Sequence, residues 1–383
     1  ALSSGRHLVL YNTRFQANAG ANRSEIQTWL TLAGEQLAAG RSQGYIRRTG
    51  NANEAVLSGG AIITSPSDNA RISLRSRRSD NNAAYQPARN GANNNNNKVL
   101  GSTAIQFFKL DNGWDYLSLE LGADILLANN ANYQAIAYDV NASPDTLGTA
   151  FTVAGGNVTL NEEGLYLVFA NTGLLKPTNN TRTNYLQHLT LDGAEVAGSV
   201  TTTYIRGNED TQEGVASLGM MVRAAAGQVL SLQVRKETGT RSTVKAGQAA
   251  LNIVKLPASA AFLALGDATN QEINDVANPD PATFADQLSV PSKFSHTIGG
   301  SEVSVNEAGN YLFLANVYTQ SDAANDNQDR TVPLHGWQVG GPNGFSGMLP
   351  QGRGAQYNRD NGNRISGSWG AGILPLDAGN SVQ

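Results

Sequence analysis

GLYLVFAN, residues Gly164–Asn171, decides the fold. Leu165, Leu167 and Phe169 alternate with Tyr166 and Val168 behind a glycine that permits a turn, which reads as a buried strand. The phrase recurs as HLVLYN over His7–Asn12 and as NYLFLAN over Asn310–Asn316. Three copies of one core strand in a single chain announce an internal repeat, and the rest of the sequence hangs from them.

Working outward, the copies keep their spacing. Leu30–Gly34 (LTLAG) reappears as Leu189–Gly193 (LTLDG), and Tyr45-Ile46-Arg47 as Tyr204-Ile205-Arg206, both 159 residues on. Leu57–Thr64 matches Ser217–Ala224, and Arg71–Arg75 matches Leu230–Val234. Each copy closes on a strand, Thr103–Leu110 (TAIQFFKL) and Ala249–Leu256 (AALNIVKL). The shorter offset between these two places an insertion at the asparagine-rich tract Asn90–Lys98, expected to be a solvated loop. The connecting stretches Trp114–Gly122 and Ser259–Gly266 also correspond. So do Phe151–Gly164 and Phe294–Gly309, which read as hairpins around Gly155-Gly156 and Gly299-Gly300. Ser24–Leu37 comes nearest to a helical pattern, but its alignment with Asn184–Val196 makes it strand.

The expected organisation is all-β, with tandem jelly-roll β-sandwich domains. Repeat 1 spans residues 1–110 without its opening strands. Repeat 2, residues 111–257, is complete. Repeat 3, residues 258–383, lacks its closing strands. Strands of this length, with turn signals every 8–15 residues or so, are the signature of a sandwich or jelly roll.

Composition agrees. Of 383 residues, 40% are hydrophobic and only 15% charged, the remainder being rich in Asn, Gly, Thr and Ser. That suits turns and a neutral hydrogen-bonding surface rather than a helical enzyme or a disordered tail. A net charge of −4 gives no electrostatic case for nucleic acid or an anionic membrane. The lack of cysteine rules out disulfides, thiol catalysis and thiolate-held metals. No apolar run approaches the ~18 residues of a membrane-spanning helix. No basic and apolar leader precedes Ala1, so the chain is expected to begin after processing or to be a piece of something longer.

The order of phrases resembles the globular heads of the complement and tumour-necrosis-factor superfamily. There a hairpin leads into a G-x-Y-x-F core strand, and a glycine-rich apolar strand ends the domain. Gly164–Phe169 and Gly309–Phe313 look like the core strand, and Gly247–Leu256 like the terminal one. The first copy departs, with Arg6-His7 where the others have Gly-x-Tyr. The resemblance implies a ten-stranded jelly roll, often trimeric and used for binding or assembly. A tandem array could build a trimer-like cluster within itself.

Candidate chemistry is sparse. His7, His188, His296 and His335 show no metal-ligand spacing, and strand histidines with local hydrogen bonds are expected. No nucleophile-elbow, zincin or phosphate-loop motif occurs, and Gly340–Gly344 reads as a turn. Neither catalytic, cofactor-binding nor metal residues are assigned, and no enzyme is expected. Calcium is the one cofactor with candidates, Asp275, Asp280 and Asp286 in one loop and Asp322, Asp326 and Asp329 in another. Sequons stand at Asn22, Asn157 and Asn179. The basic tract Arg71–Arg78 offers a polyanion site, a charged face meeting an acidic neighbour, or simple edge protection. Trp114, Trp337 and Trp369 are either sugar platforms or interdomain packing.

The expected function is therefore structural. An extracellular, cell-surface or virion-surface protein would assemble with itself, through β-edge and strand-completion contacts, into a fibre, sheath or layer. The alternative is a lectin-like or receptor-binding module that recognises glycans. Neither nucleic acid nor membrane insertion is expected.

Overall fold

The computed structural model describes residues 3–16, 23–47, 54–78, 98–99, 103–110, 113–128, 132–138, 145–177, 181–207, 212–237, 242–267, 269–271, 280–288, 292–320, 330–341, 344–345, 348–349, 351–359 and 365–383. The asparagine-rich insertion Asn90–Asn97 lies outside them. The described secondary structure is entirely strand, and Ser24–Leu32 belongs to strand Arg23–Leu32.

The middle unit is a jelly-roll sandwich. One sheet runs in the order 145–147, Tyr116–Glu120, Ser242–Lys255, Gly164–Leu175, Glu213–Ala224. These can be named from their roles as opening strand (Tyr116–Glu120), closing strand (Ser242–Lys255), core strand (Gly164–Leu175) and return strand (Glu213–Ala224). The facing sheet runs Phe151–Ala154, Asn157–Leu160, Gln228–Lys236, Thr183–Leu191, with Thr201–Ile205 alongside. Between them Leu117, Leu119, Tyr166, Val168, Leu218 and Val222 meet Val158, Leu160, Leu189, Leu230 and Val234. Alternation sends every second side chain of each strand into this layer.

The same frame holds the other two copies. In the first, core strand Gly5–Gln16 lies between return strand Glu54–Ser65 and closing strand Ala104–Leu110. In the third, core strand Gly309–Gln320 pairs return strand Ile365–Leu376 along its whole length. Ser381–Val382 there pairs Val303–Val305, the seat that Gln228–Lys236 holds in the middle unit. Return-strand register refines the sequence alignment. Ser58 stands opposite Asn12 and Ser217 opposite Asn171, so Ser58 matches Ser217, one step from the pairing read off the letters.

The hairpin around Gly155-Gly156 is a two-residue turn, Ala154 facing Asn157, with φ of 57° and 84° at the two glycines. Two left-handed residues match the right-handed twist of the flanking strands. Its counterpart is longer. His296 faces Val303, so Gly299 and Gly300 sit in a six-residue loop.

Candidate functional site

A strand that is apolar on both faces must bury both. Tyr166, Val168 and Ala170 point into the middle sandwich, Val9 and Tyr11 into the first, Tyr311 and Phe313 into the third. The alternate residues leave their own sandwiches. Leu8 and Leu10, Leu167 and Phe169, and Leu312 and Leu314 meet in one cluster that also takes Ile62, Tyr116, Val254, Trp369 and Ala371. The three core strands thus face one another across a common axis within one chain. Complete burial of a side chain such as Phe169 contributes about 2–3 kcal/mol.

One step further along each strand the stripe ends in asparagine, and each asparagine bonds a neighbouring unit. Asn171 donates to Ala38 O (3.0 Å) and accepts from Gly40 N–H (3.2 Å), both in the first unit; it also donates to Gln248 O (2.9 Å). Asn12 donates to Arg353 O (2.8 Å) and accepts from Gly352 N–H (3.0 Å), both in the third unit, while donating to Ser58 Oγ (2.6 Å). Asn316 donates to Gly219 O in the second unit (3.0 Å), and its buried Oδ1 has no hydrogen-bond partner among the described residues. The relation is cyclic, second to first, first to third, third to second. Gly40 and Gly352 adopt φ of 67° and 71°, a left-handed turn that presents the N–H to the asparagine.

Beyond the asparagines, Tyr45, Tyr204 and Tyr357 close the axis, with ring centroids 4.9, 4.9 and 5.0 Å apart. Between these levels lies a small polar cavity of about 20 Å³. Ser42, Ser58, Thr202, Ser217, Gln356 and Trp369 are among its walls. That is room for about one water. Trp369 breaks the threefold pattern, because it faces Asn316 where Ser58 and Ser217 face Asn12 and Asn171. It is 3% exposed, donates from Nε1 to Ser217 Oγ (3.0 Å), and lies over Gly219, where a Cβ would come within 2.2 Å of the indole.

The basic tract meets an acidic neighbour. Arg77 bonds Glu213 of the second unit (3.2 Å) and Gln27 (2.7 Å), while Gln27 itself donates to Glu213 (2.7 Å). Burial, and then the adjacent Arg77, hold the Arg41 guanidinium below its usual range.

The histidines stay apart, and among the described residues no group of three or more His, Asp or Glu could hold a metal. His7 contacts Ser3 O; His188 pairs Glu195 (2.7 Å) and stacks on Tyr133; His296 contacts Glu302 O. His335 lies 3.3 Å from Ser368 Oγ, its Nε2 is sealed without a partner, and burial pushes it down to about 4. Asp275, Asp322, Asp326, Asp329, Asn22 and Asn179 lie outside the described residues. Asp280 and Asp286 join no metal-holding group among the described residues, and Asn157 is exposed on the hairpin. Of the stretch Gly340–Gly344, Gly340 and Gly341 pair Phe345 and Gly344, and Pro342 and Asn343 lie outside the described residues. The tryptophans are packed: Trp114 on Phe108, Trp337 on Phe313, Trp369 on Phe169. The asparagine clips carried no chemical motif, yet their signal was a polar residue at one fixed place in all three apolar phrases.

No family model matches the chain, and no curated protein matches it. Among solved structures, crystal structures of murine APRIL at pH 8.0 and pH 5.0 align at 11% and 12% identity with a TM-score of 0.28. They cover 37% of this chain and 99% of theirs. No helix among the described residues is long and apolar enough to cross a membrane.

Proposed function

We propose that this chain is a structural protein of an extracellular, cell or virion surface, a tandem jelly-roll scaffold that assembles by pairing strand edges. One observation carries the reading. Core strand Gly309–Gln320, 12 residues long, is hydrogen-bonded along one edge only among the described residues. Its equivalents Gly5–Gln16 and Gly164–Leu175 have that same edge covered by closing strands Ala104–Leu110 and Ser242–Lys255. A long apolar edge of unpaired N–H and C=O groups is a template for another strand, and natural sheets that keep one use it or shield it.

A surface rich in Asn, Gly and Thr with little net charge fits a role of filling space and repeating. Size-exclusion chromatography with light scattering, followed by negative-stain electron microscopy of the purified chain, tests the reading. Concentration-dependent oligomers or filaments are expected. A monodisperse monomer at high concentration refutes it.

A further inference from the structure

The units touch through a second rule besides the asparagine clips, and it specifies what should sit on the open edge. Each described closing strand reaches the return strand of the neighbouring unit with a carboxamide. In the second unit this is Asn252, whose Oδ1 accepts the Ile62 N–H of the first unit (3.1 Å). In the first unit it is Gln106. Its Oε1 accepts the Ile373 N–H of the third unit (2.8 Å), and its Nε2 donates to Ile373 O (2.6 Å). The two carboxamides are equivalent. Asn252 stands opposite Phe169 and Gln106 opposite Leu10, the same step of their core strands. The residues they read are equivalent too, since Ile62 faces Leu8 and Ile373 faces Leu312.

The order is again cyclic, second to first and first to third, which leaves one seat, from the third unit onto the second, without a closing strand among the described residues. The residue at that seat is Met221, which faces Leu167. Met221 is partly buried, as is Ile373 beneath Gln106, whereas Ile62 beneath Asn252 is 7% exposed. The sandwich side of the slot is open. Tyr311 and Phe313 are partly buried, whereas their counterparts Tyr166 and Val168 are 0% exposed.

We propose that the edge of Gly309–Gln320 is the docking site for an extended strand of stated chemistry: apolar side chains at alternate positions, and Asn or Gln at the position opposite Leu314. That carboxamide would bond the Met221 main chain and complete the third interface, continuous with the two already made. The ladder gives affinity, and the carboxamide fixes register, because a one-residue slip would turn it into the sandwich. The inference rests on the edge-pairing reading above and names the partner it requires.

The chain supplies its own probe, a synthetic peptide of Gly247–Leu256 (GQAALNIVKL), in which Asn252 holds the carboxamide. Fluorescence anisotropy of the labelled peptide against the full chain is expected to show saturable 1:1 binding. Hydrogen exchange is expected to slow along Gly309–Gln320. The peptide with Asn252→Leu is expected to bind about tenfold more weakly, the loss of ~1.4 kcal/mol of hydrogen bonding. The peptide with Ile253→Pro is expected not to bind.

Absent saturable binding, equal binding by the leucine peptide, or protection at Ala104–Leu110 instead of Gly309–Gln320 would each overturn the inference. Oligomers by light scattering without peptide binding would defeat this site alone. Peptide binding by a strictly monomeric chain would defeat the assembly reading alone.

Discussion

Replacing each axis asparagine by leucine, one at a time, tests the cyclic clip directly. The side chains share the same number and branching of heavy atoms, so leucine opens no cavity and the comparison between the three sites is of hydrogen bonds. In Asn171→Leu the buried Gly40 N–H loses its acceptor, and Ala38 O and Gln248 O lose donors. An orphaned buried group costs about 1–3 kcal/mol, and the carbonyls lose less because they keep a second lone pair. The sum is about 3–5 kcal/mol, a large share of the 5–15 kcal/mol typical of folded domains. Asn12→Leu removes the same number of bonds and is expected to cost as much.

Asn316→Leu is the control built into the molecule. It loses one bond, to Gly219 O, and removes an Oδ1 that has no hydrogen-bond partner among the described residues, so its cost is expected to stay within about 1 kcal/mol. Urea titration followed by circular dichroism and tryptophan fluorescence gives the three values, with equal slopes required before they are compared. If Asn316→Leu is as damaging as Asn171→Leu, or if all three are neutral, the clip is not what holds the units together.

Gly219→Ala puts a methyl into the Trp369 indole and should destabilise by about 1–3 kcal/mol. Adding Trp369→Ser, the residue at the equivalent positions Ser58 and Ser217, should recover part of that loss as a coupling energy in a double-mutant cycle. His335 is depressed from its usual value to about 4, so the unfolded chain binds more protons between about pH 4 and 6.5. Stability should therefore fall as pH drops through that window, by up to about 3 kcal/mol, and His335→Leu should lack that slope in paired melts. Arg77→Ala breaks an ion pair whose partners are 54% and 33% exposed; a change below about 1 kcal/mol by the same titration is expected.

The repeat was legible because position, not identity, carried it. Tyr45 and Tyr204, 159 residues apart, meet at the axis, where Tyr357 joins them. The all-β class and the strand at Arg23–Leu32 were legible for the same reason, a helix-like pattern being overruled by its copy. What the letters could not show was direction. Leu167 and Val168 are both apolar, and only packing reveals that one faces the axis and the other its own sandwich. Trp369 was readable as a sugar platform or as interdomain packing, but nothing local marks it as the occupant of a serine's seat. Arg77 was readable as half of a charged contact, but its partner Glu213 is 136 residues away and was not. The second glycine-rich hairpin looked like the first and yet closes by a longer loop, since glycine pairs permit several turns.

Trp369 also bears on why such a cluster would be drawn from one polypeptide. In an assembly of three identical chains, each codon on the axis is expressed three times. One indole at that seat means three, converging where the structure has room for one beside two hydroxyls. Fusing the copies frees each seat to vary separately. The Ser58, Ser217, Trp369 ring is that freedom used, a lopsided plug that no gene for a single repeat could encode.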